Sequence, residues 1–343
     1  MKLNFRRGSA FASKKAHKYL KEKNPEDIQK ITVIRHAAIG DFVVMRPFLI
    51  ELRKFFPNAK ITLSVVNHYM YGVPDDLIDD VHIVSRYQKD GSKTGFFQRI
   101  KEAKTLSAQD IIFDLTDSAL THLLLFFSRS QLKIGYPYRS FMKLFYDICV
   151  LRSDFVLETQ SMMHQLNILG ANTHHYPLNY QLTTVARNEI EPYIIYFSGA
   201  SMPERCWEKT KFVQLIKKTV QTYPEYRHII LKGIGQDEHF SEIYEPFSQY
   251  KNVIHQDSMP LTQIYDYLGA ASLVVVGDTG IRNMAIASNA PTLGLMWAPH
   301  ISPLRYLPKV EKHQVVFNTE FHQPSVDEVY KALQTLMSKL YEN

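Results

Sequence analysis

Ile31-Thr-Val-Ile-Arg-His-Ala-Ala-Ile-Gly-Asp41 decides how the chain is read. Residues 31–35 are a β-branched run of the buried-strand type. Small residues and a glycine then lead into a helical stretch over 42–56, whose apolar face is supplied by Val43, Val44, Leu49, Ile50 and Leu52. Pro57-Asn58 ends that helix, and Lys60-Ile-Thr-Leu-Ser-Val-Val66 reads as the next strand. Further strands are expected over 82–85 and 110–114, with helices between them. Strand–helix–strand alternation implies a parallel sheet.

The same pattern restarts at Tyr193-Ile-Ile-Tyr-Phe197, followed by Ser198-Gly-Ala-Ser201. A helix over 210–222, strands over 227–232 and 253–255, a helix over 262–271, a strand over 273–276, a helix after Asp278 and a strand over 291–297 complete the second half. The 343 residues suffice for two α/β domains. The expected organisation is a basic arm over 1–28, a Rossmann-like domain over 29–182 and a polar linker over 183–192. A second Rossmann-like domain follows over 193–324, and a terminal helix over 325–343 crosses back onto the first half.

A composition of 45% hydrophobic and 22% charged residues is that of a globular protein. The two cysteines, Cys149 and Cys206, have no metal-ligand spacing and form no disulfide framework. A net charge of +6 implies an anionic partner, and the excess gathers at Lys2, Arg6, Arg7, Lys14, Lys15, Lys18, Lys21 and Lys23. This segment is expected to be a solvated arm or an anchor on an anionic leaflet. No apolar run follows it as in a signal peptide, and no stretch is long enough to span a bilayer. The expected setting is cytoplasmic, peripheral at most on the inner face of the membrane. No basic-aromatic motif points to nucleic acid.

Ligands of open parallel sheets bind beyond the carboxyl ends of the strands, and three motifs are expected there. Ala38-Ile-Gly40-Asp41 offers a close backbone approach and a carboxylate, although Asp41 also suits a helix N-cap. Ser198-Gly-Ala-Ser201 with Arg205-Cys-Trp207 offers amides, a hydroxyl and a guanidinium fork for a diphosphate. Val274-Val-Val-Gly-Asp278-Thr279-Gly280 runs straight from strand into helix, where amides at the helix start attract phosphate, with Asp278 as cap or ligand. Asp75-Asp76 and Asp79-Asp80 read as a solvated loop rather than a metal site. Lys232-Gly-Ile-Gly-Gln-Asp237 lacks the full dinucleotide fingerprint, which weighs against a nicotinamide-dependent oxidoreductase.

Taken in order, these motifs resemble the ADP-heptose:lipopolysaccharide heptosyltransferases, glycosyltransferase family nine, over roughly residues 31–307. The resemblance rests on Arg35-His-Ala-Ala-Ile-Gly-Asp41 with Phe56-Pro57, on Ser198-Gly-Ala-Ser201 with Arg205-x-Trp207, and on Met259-Pro-Leu261 with Gly277-Asp-Thr-Gly280. It implies a GT-B architecture of two Rossmann-like domains facing a cleft, with the acceptor on the first and the donor mainly on the second. It further implies that Asp41 is the general base of an inverting transfer. The implied nucleotide-sugar residues are Gly40, Ser201, Arg205, Asp237, Glu238, Met259, Asp278, Thr279, Gly280 and Asn283. No metal or cofactor is required, because Arg205 and the helix-start amides offset the charge of the leaving ADP. Arg139 is a candidate contact for a lipid-linked anionic glycan acceptor. Asn283 stands where the family has His, and Arg205 where it has Lys, so another nucleotide sugar or surface polysaccharide stays open. So does a non-catalytic sugar-nucleotide binding protein.

Overall fold

The computed structural model describes residues 1, 9–88, 90–116, 118–137, 140–173, 177–182, 191–200, 202–234, 241–298 and 302–341. The chain divides into two compact units, Met1–Tyr180 and Gln181–Asn343. Residues 183–190 of the expected linker lie outside the described residues.

The first unit runs β1 (Ser9–Ala12), α1 (Lys14–Glu22), β2 (Lys30–Ile34), α2 (Ile39–Phe55), β3 (Lys60–Val66), β4 (Asp80–Val84), α3 (Phe96–Thr105), β5 (Gln109–Asp114), α4 (Ala119–Phe127), β6 (Ser130–Gly135), β7 (Ile148–Val150) and α5 (Glu158–Asn167). Its sheet order is β1-β7-β6-β5-β2-β3-β4, parallel throughout except for β1, which pairs antiparallel with β7. Ile31 to Ile34 are buried on both faces, as a strand sandwiched between helices must be.

The second unit runs β8 (Tyr193–Phe197), α6 (Lys209–Thr222), β9 (Arg227–Leu231), α7 (Ser241–Tyr244), β10 (Val253–Gln256), α8 (Leu261–Gly269), β11 (Leu273–Val276), α9 (Gly280–Ala287), β12 (Thr292–Met296), β13 (His313–Phe317) and α10 (Val326–Tyr341). Its six strands, ordered β10-β9-β8-β11-β12-β13, are all parallel. In both sheets the order reverses beside the unit's first long strand: β2 lies between β3 and β5, and β8 between β9 and β11.

Three segments pack more specifically than their composition shows. The basic segment is not simply a solvated arm. β1 covers the open edge of β7, with Phe11 opposite Cys149, and α1 buries Ala16 and Leu20 four residues apart on one face. Its cations stay outside, and Lys15 pairs with Asp147 at 3.1 Å. The terminal helix packs within the second unit. Val329, Leu333, Leu336 and Met337 form one stripe on α10 that joins the core of the second unit, against α6, β12 and β13. The Trp207 indole donates to the Pro324 carbonyl just before it, at 2.9 Å. The acidic pairs around the third strand's partner are not merely solvated either. Asp76 holds the buried Arg46 through two hydrogen bonds, and Asp79 accepts from the Ile61 amide at 2.7 Å.

Both tryptophans of the sequence, Trp207 and Trp297, belong to the second unit, so tryptophan fluorescence follows that unit's unfolding. Leu333→Ala should lower its stability to urea by about 2–5 kcal/mol, the usual cost of a core cavity. A loss below about 0.5 kcal/mol, the range of surface substitutions, would place α10 elsewhere. Burial first, and then the charges of Lys312 and Arg282, push His313 down to about 3. Its folded pKa lies below the unfolded value of about 6.5. The unfolded chain therefore binds a proton that the folded chain refuses between those limits. Stability is full above pH 6.5 and falls as pH drops toward 3. The urea midpoint at pH 4.5 should be lower than at pH 7, with a smaller fall in His313→Gln.

Candidate functional site

In the first unit the loops after β2 and β5 flank the reversal of strand order. Arg35, directly after β2, is buried and crosses between them: its Nη1 donates to the Leu115 carbonyl at 2.5 Å. The same guanidinium donates to Asp41 Oδ1 at 2.6 Å and pairs with Glu158 at 3.4 Å. Glu158, on α5 and 1% exposed, also takes Arg152 as a partner, so the buried Arg35 and Glu158 are compensated by each other and by the partly exposed Asp41 and Arg152. Asp41 stands in the first turn of α2, but the helix starts after Ala38 with no side-chain cap. Its carboxylate turns to Arg35 instead, and its side chain stays 31% exposed. The capping explanation for this residue therefore fails. Gly40 is buried in the same turn.

Beside this network is a cavity of about 360 Å³, lined by His36, Arg86, Lys93, Arg99, Thr116 and Ser118 among others. It opens at the carboxyl ends of β2 to β5 and at the start of α4. Among its described lining residues there are three cations and no acid. His36 Nδ1 and Arg99 Nε are buried there with no hydrogen-bond partner among the described residues. Burial, then the charges of His82 and Arg86, push His36 down to about 3, so the ring is neutral at pH 7. Its lining combines the three cations with the hydroxyl-bearing Thr116 and Ser118.

In the second unit the corresponding reversal lies between β8 and β11. The loop after β8 carries Arg205, and the loop after β11 carries Asp278; their side chains pair at 3.3 Å. The pair is not aligned as a hydrogen bond, and the buried Asp278 Oδ2 has no hydrogen-bond donor among the described residues. Thr279, not Asp278, caps α9: its Oγ1 accepts from the Ile281 amide at 3.2 Å. Asp278 is thus released from the capping role open to it in the sequence. The two loops run close together: a Cβ at Gly277 would sit 3.4 Å from the Arg205 carbonyl, about van der Waals contact. The Trp297 indole, after β12, donates to the Glu204 carbonyl at 3.0 Å and ties in a third loop. Arg282, buried beneath α9, donates to the Tyr306 carbonyl at 3.3 Å. Burial pulls its pKa down to about 10 against the opposing charge of Asp278.

The structure thus brings Arg205 to Asp278 at the start of α9, where Thr279, Gly280 and half-buried Asn283 follow. Met259 follows β10 at the same sheet edge, two strands from β8. Ser201, Asp237, Glu238 and Arg139 lie outside the described residues. Sequence reading assigned no role to Arg35, although an arginine closing a buried strand must find acids. Glu158, Arg152 and the cavity cations Arg86, Lys93 and Arg99 had no local signal, because their partners are distant in sequence. Among the described residues no group of three or more His, Cys, Asp or Glu side chains could hold a metal ion.

Comparison with known proteins is informative at the level of family and fold. The profile of glycosyltransferase family 9 (heptosyltransferase) matches residues 99–335. No curated protein matches the chain in sequence. Among solved structures, a glycosyl transferase family 9 protein from Veillonella parvula aligns with a TM-score of 0.69 at 18% identity, covering 91% of this chain and 97% of that one. E. coli heptosyltransferase WaaC with ADP aligns with a TM-score of 0.69 at 15% identity, covering 90% and 100%. E. coli ADP-heptose lps heptosyltransferase II aligns with a TM-score of 0.64 at 17% identity, covering 91% and 99%. These likenesses agree on two Rossmann-like α/β domains, and the family profile, spanning more than half of the chain, identifies it as a glycosyltransferase of family 9, the heptosyltransferases.

Proposed function

We propose that the chain transfers heptose from ADP-heptose to an anionic, lipid-linked glycan of the lipopolysaccharide core, with inversion at the anomeric carbon. The observation that carries this reading is the state of Asp41. It is a partly exposed carboxylate, held by a buried guanidinium, unused as a helix cap and set at the point where the first sheet's loops diverge. A carboxylate so oriented suits a general base.

In the proposed reaction Asp41 accepts the proton of the acceptor hydroxyl as that oxygen bonds to the anomeric carbon. The bond from that carbon to the diphosphate breaks, and ADP leaves with the electron pair. One carboxylate suffices, with no covalent intermediate and no cofactor. Arg205 is the proposed diphosphate ligand, because its partner Asp278 already presents it at the start of α9. The amides there carry the partial positive charge of a helix N-terminus. Thr279, Gly280 and Asn283 close around the sugar in this reading, and Met259 lies beside adenine. Ser201 is assigned to phosphate and Asp237 or Glu238 to ribose. The cation-lined cavity by Arg86, Lys93 and Arg99 supports an anionic acceptor in the first unit, with Arg139 as a further contact.

The E. coli relative solved with ADP favours an adenine nucleotide. Asn283 favours a second reading, the same chemistry with another sugar. A panel of ADP-, UDP-, GDP- and CMP-sugars in a thermal-shift assay separates them: the largest stabilisation is expected from the ADP sugar. A preference for UDP would remove heptose while leaving transfer intact. Asp41→Asn should reduce turnover by about 100- to 10,000-fold, the range for losing a general base. Its donor affinity, read by calorimetry, should stay unchanged. Turnover near normal would end the role of Asp41. Arg205→Ala should weaken donor binding by roughly tenfold or more, as loss of a charge-assisted hydrogen bond does. Unaltered affinity would move the diphosphate elsewhere.

A further inference from the structure

Helices facing solvent ordinarily turn polar residues outward. The outer layer of the first unit departs from this. α3 packs against α4, and α4 against the 3-10 turn Ser140–Phe145, all three over the core formed by Ile34, Val84 and Ile112. Their inward side chains, Ala103, Leu124 and Leu125, account for that core. Their outward side chains include Phe97, Phe126 and Leu144, which are 85%, 67% and 87% exposed. Phe96 and Phe141 are also more than half exposed. Five large apolar side chains on α3, α4 and the turn that packs on α4 exceed the scatter of single exposed hydrophobics expected on a monomer.

Cations interleave with them. Phe97, Lys101 and Lys104 follow one helical line at i, i+4 and i+7, and the Lys104 ammonium lies 5.8 Å from the centre of the Phe127 ring. On α4, Leu123 and Phe126 continue toward Arg129, and Lys143 stands beside Leu144 in the turn. The only acid in α3, α4 or the turn is Glu102, which is half-buried and engaged by the Ser85 amide at 2.8 Å. α1 adds exposed Lys14 and Lys18, and its Lys15 reaches the Ser130 carbonyl at 3.3 Å, next to Arg129.

We propose that this face docks on an anionic lipid bilayer, the aromatic side chains entering the headgroup region and the lysines pairing with lipid phosphates. Charge complementarity selects that occupant: apolar anchors interleaved with cations that outnumber the acids, Glu102 being engaged by the Ser85 amide and Asp147 by Lys15, match the surface of a negatively charged leaflet. Continuity with the candidate site supports it. Arg99 of α3 and Ala119 and Leu120 of α4 line the cationic cavity, so the two helices that carry the anchors also border the proposed acceptor pocket. An acceptor whose lipid stays in the bilayer then needs to rise only the depth of this layer. The inference rests on the lipid-linked acceptor of the proposed function, and moves membrane contact from the basic amino-terminal segment alone to a folded surface.

The test is co-sedimentation of the full chain with vesicles of phosphatidylcholine alone or mixed with phosphatidylglycerol. Wild-type protein is expected to bind the mixed vesicles and to remain in solution with phosphatidylcholine. Phe97→Asp with Phe126→Asp and Leu144→Asp should weaken binding by roughly tenfold or more, with the urea midpoint unchanged. Phe97→Ser with Phe126→Ser serves if the triple variant misfolds, and Lys101→Glu with Lys104→Glu should likewise release the protein. Wild-type protein that ignores both vesicles, or self-associates through this face instead, overturns the proposal; so do variants that bind as wild type does. Vesicle binding together with failure in every nucleotide-sugar assay would sink the donor reading and leave the docking face standing.

Discussion

A parallel sheet whose strand order reverses beside its first strand sends the two adjoining loops to opposite faces, and a gap opens at the carboxyl edge between them. Both units obey this constraint, at β2/β5 and at β8/β11. Everything chemical in the described residues follows from it. The residues that fill each gap differ in charge logic. The first holds a carboxylate presented by a buried arginine; the second holds an arginine presented by a carboxylate.

Burying Arg35 is costly unless its charge is matched. Asp41, Glu158 and Arg152 provide that match, and the match is geometric as much as energetic. Glu158 is fixed by two guanidinium groups, so Arg35 cannot swing away from the loop after β5, and Asp41 inherits its direction from Arg35. In the second unit the Arg205–Asp278 pair is looser and partly open to water. A pair of this kind is easily remade around a ligand phosphate, because a guanidinium fork has donors to spare. The rigid arrangement lies where a proton is proposed to move, and the adaptable one where a nucleotide is proposed to bind and leave.

Much of this fold was legible in the sequence because parallel strands buried on both faces are written as continuous apolar runs. β3, β8 and β11 match their expected ranges, and β2 and β5 lie within one residue of theirs. β6 and β7 were not foreseen: Ser130-Gln-Leu-Lys-Ile-Gly135 interrupts its apolar residues with polar ones, and β7 is three residues long. β1 and α10 were less legible: cations dominate the segment around β1, and α10 shows only its apolar stripe. An amphipathic stripe shows that a segment packs, not which sheet it packs on. Of the candidate site, Asp41, Arg205, Asp278 and Thr279 were legible because each follows a recognisable strand. The cavity cations were not, since Arg86, Lys93 and Arg99 converge only through the order of β3, β4 and β5.

Two cationic places now compete for a nucleotide diphosphate: the crevice of Arg205 and α9 in the second unit, and the cavity of Arg86, Lys93 and Arg99 in the first. A crystal structure of the full chain grown with ADP distinguishes them directly. The diphosphate is expected within hydrogen-bond distance of Arg205 and of the first amides of α9, with the first unit's cavity left for the acceptor. A diphosphate seated on Arg86 and Arg99, with Arg205 still paired to Asp278 alone, would contradict it.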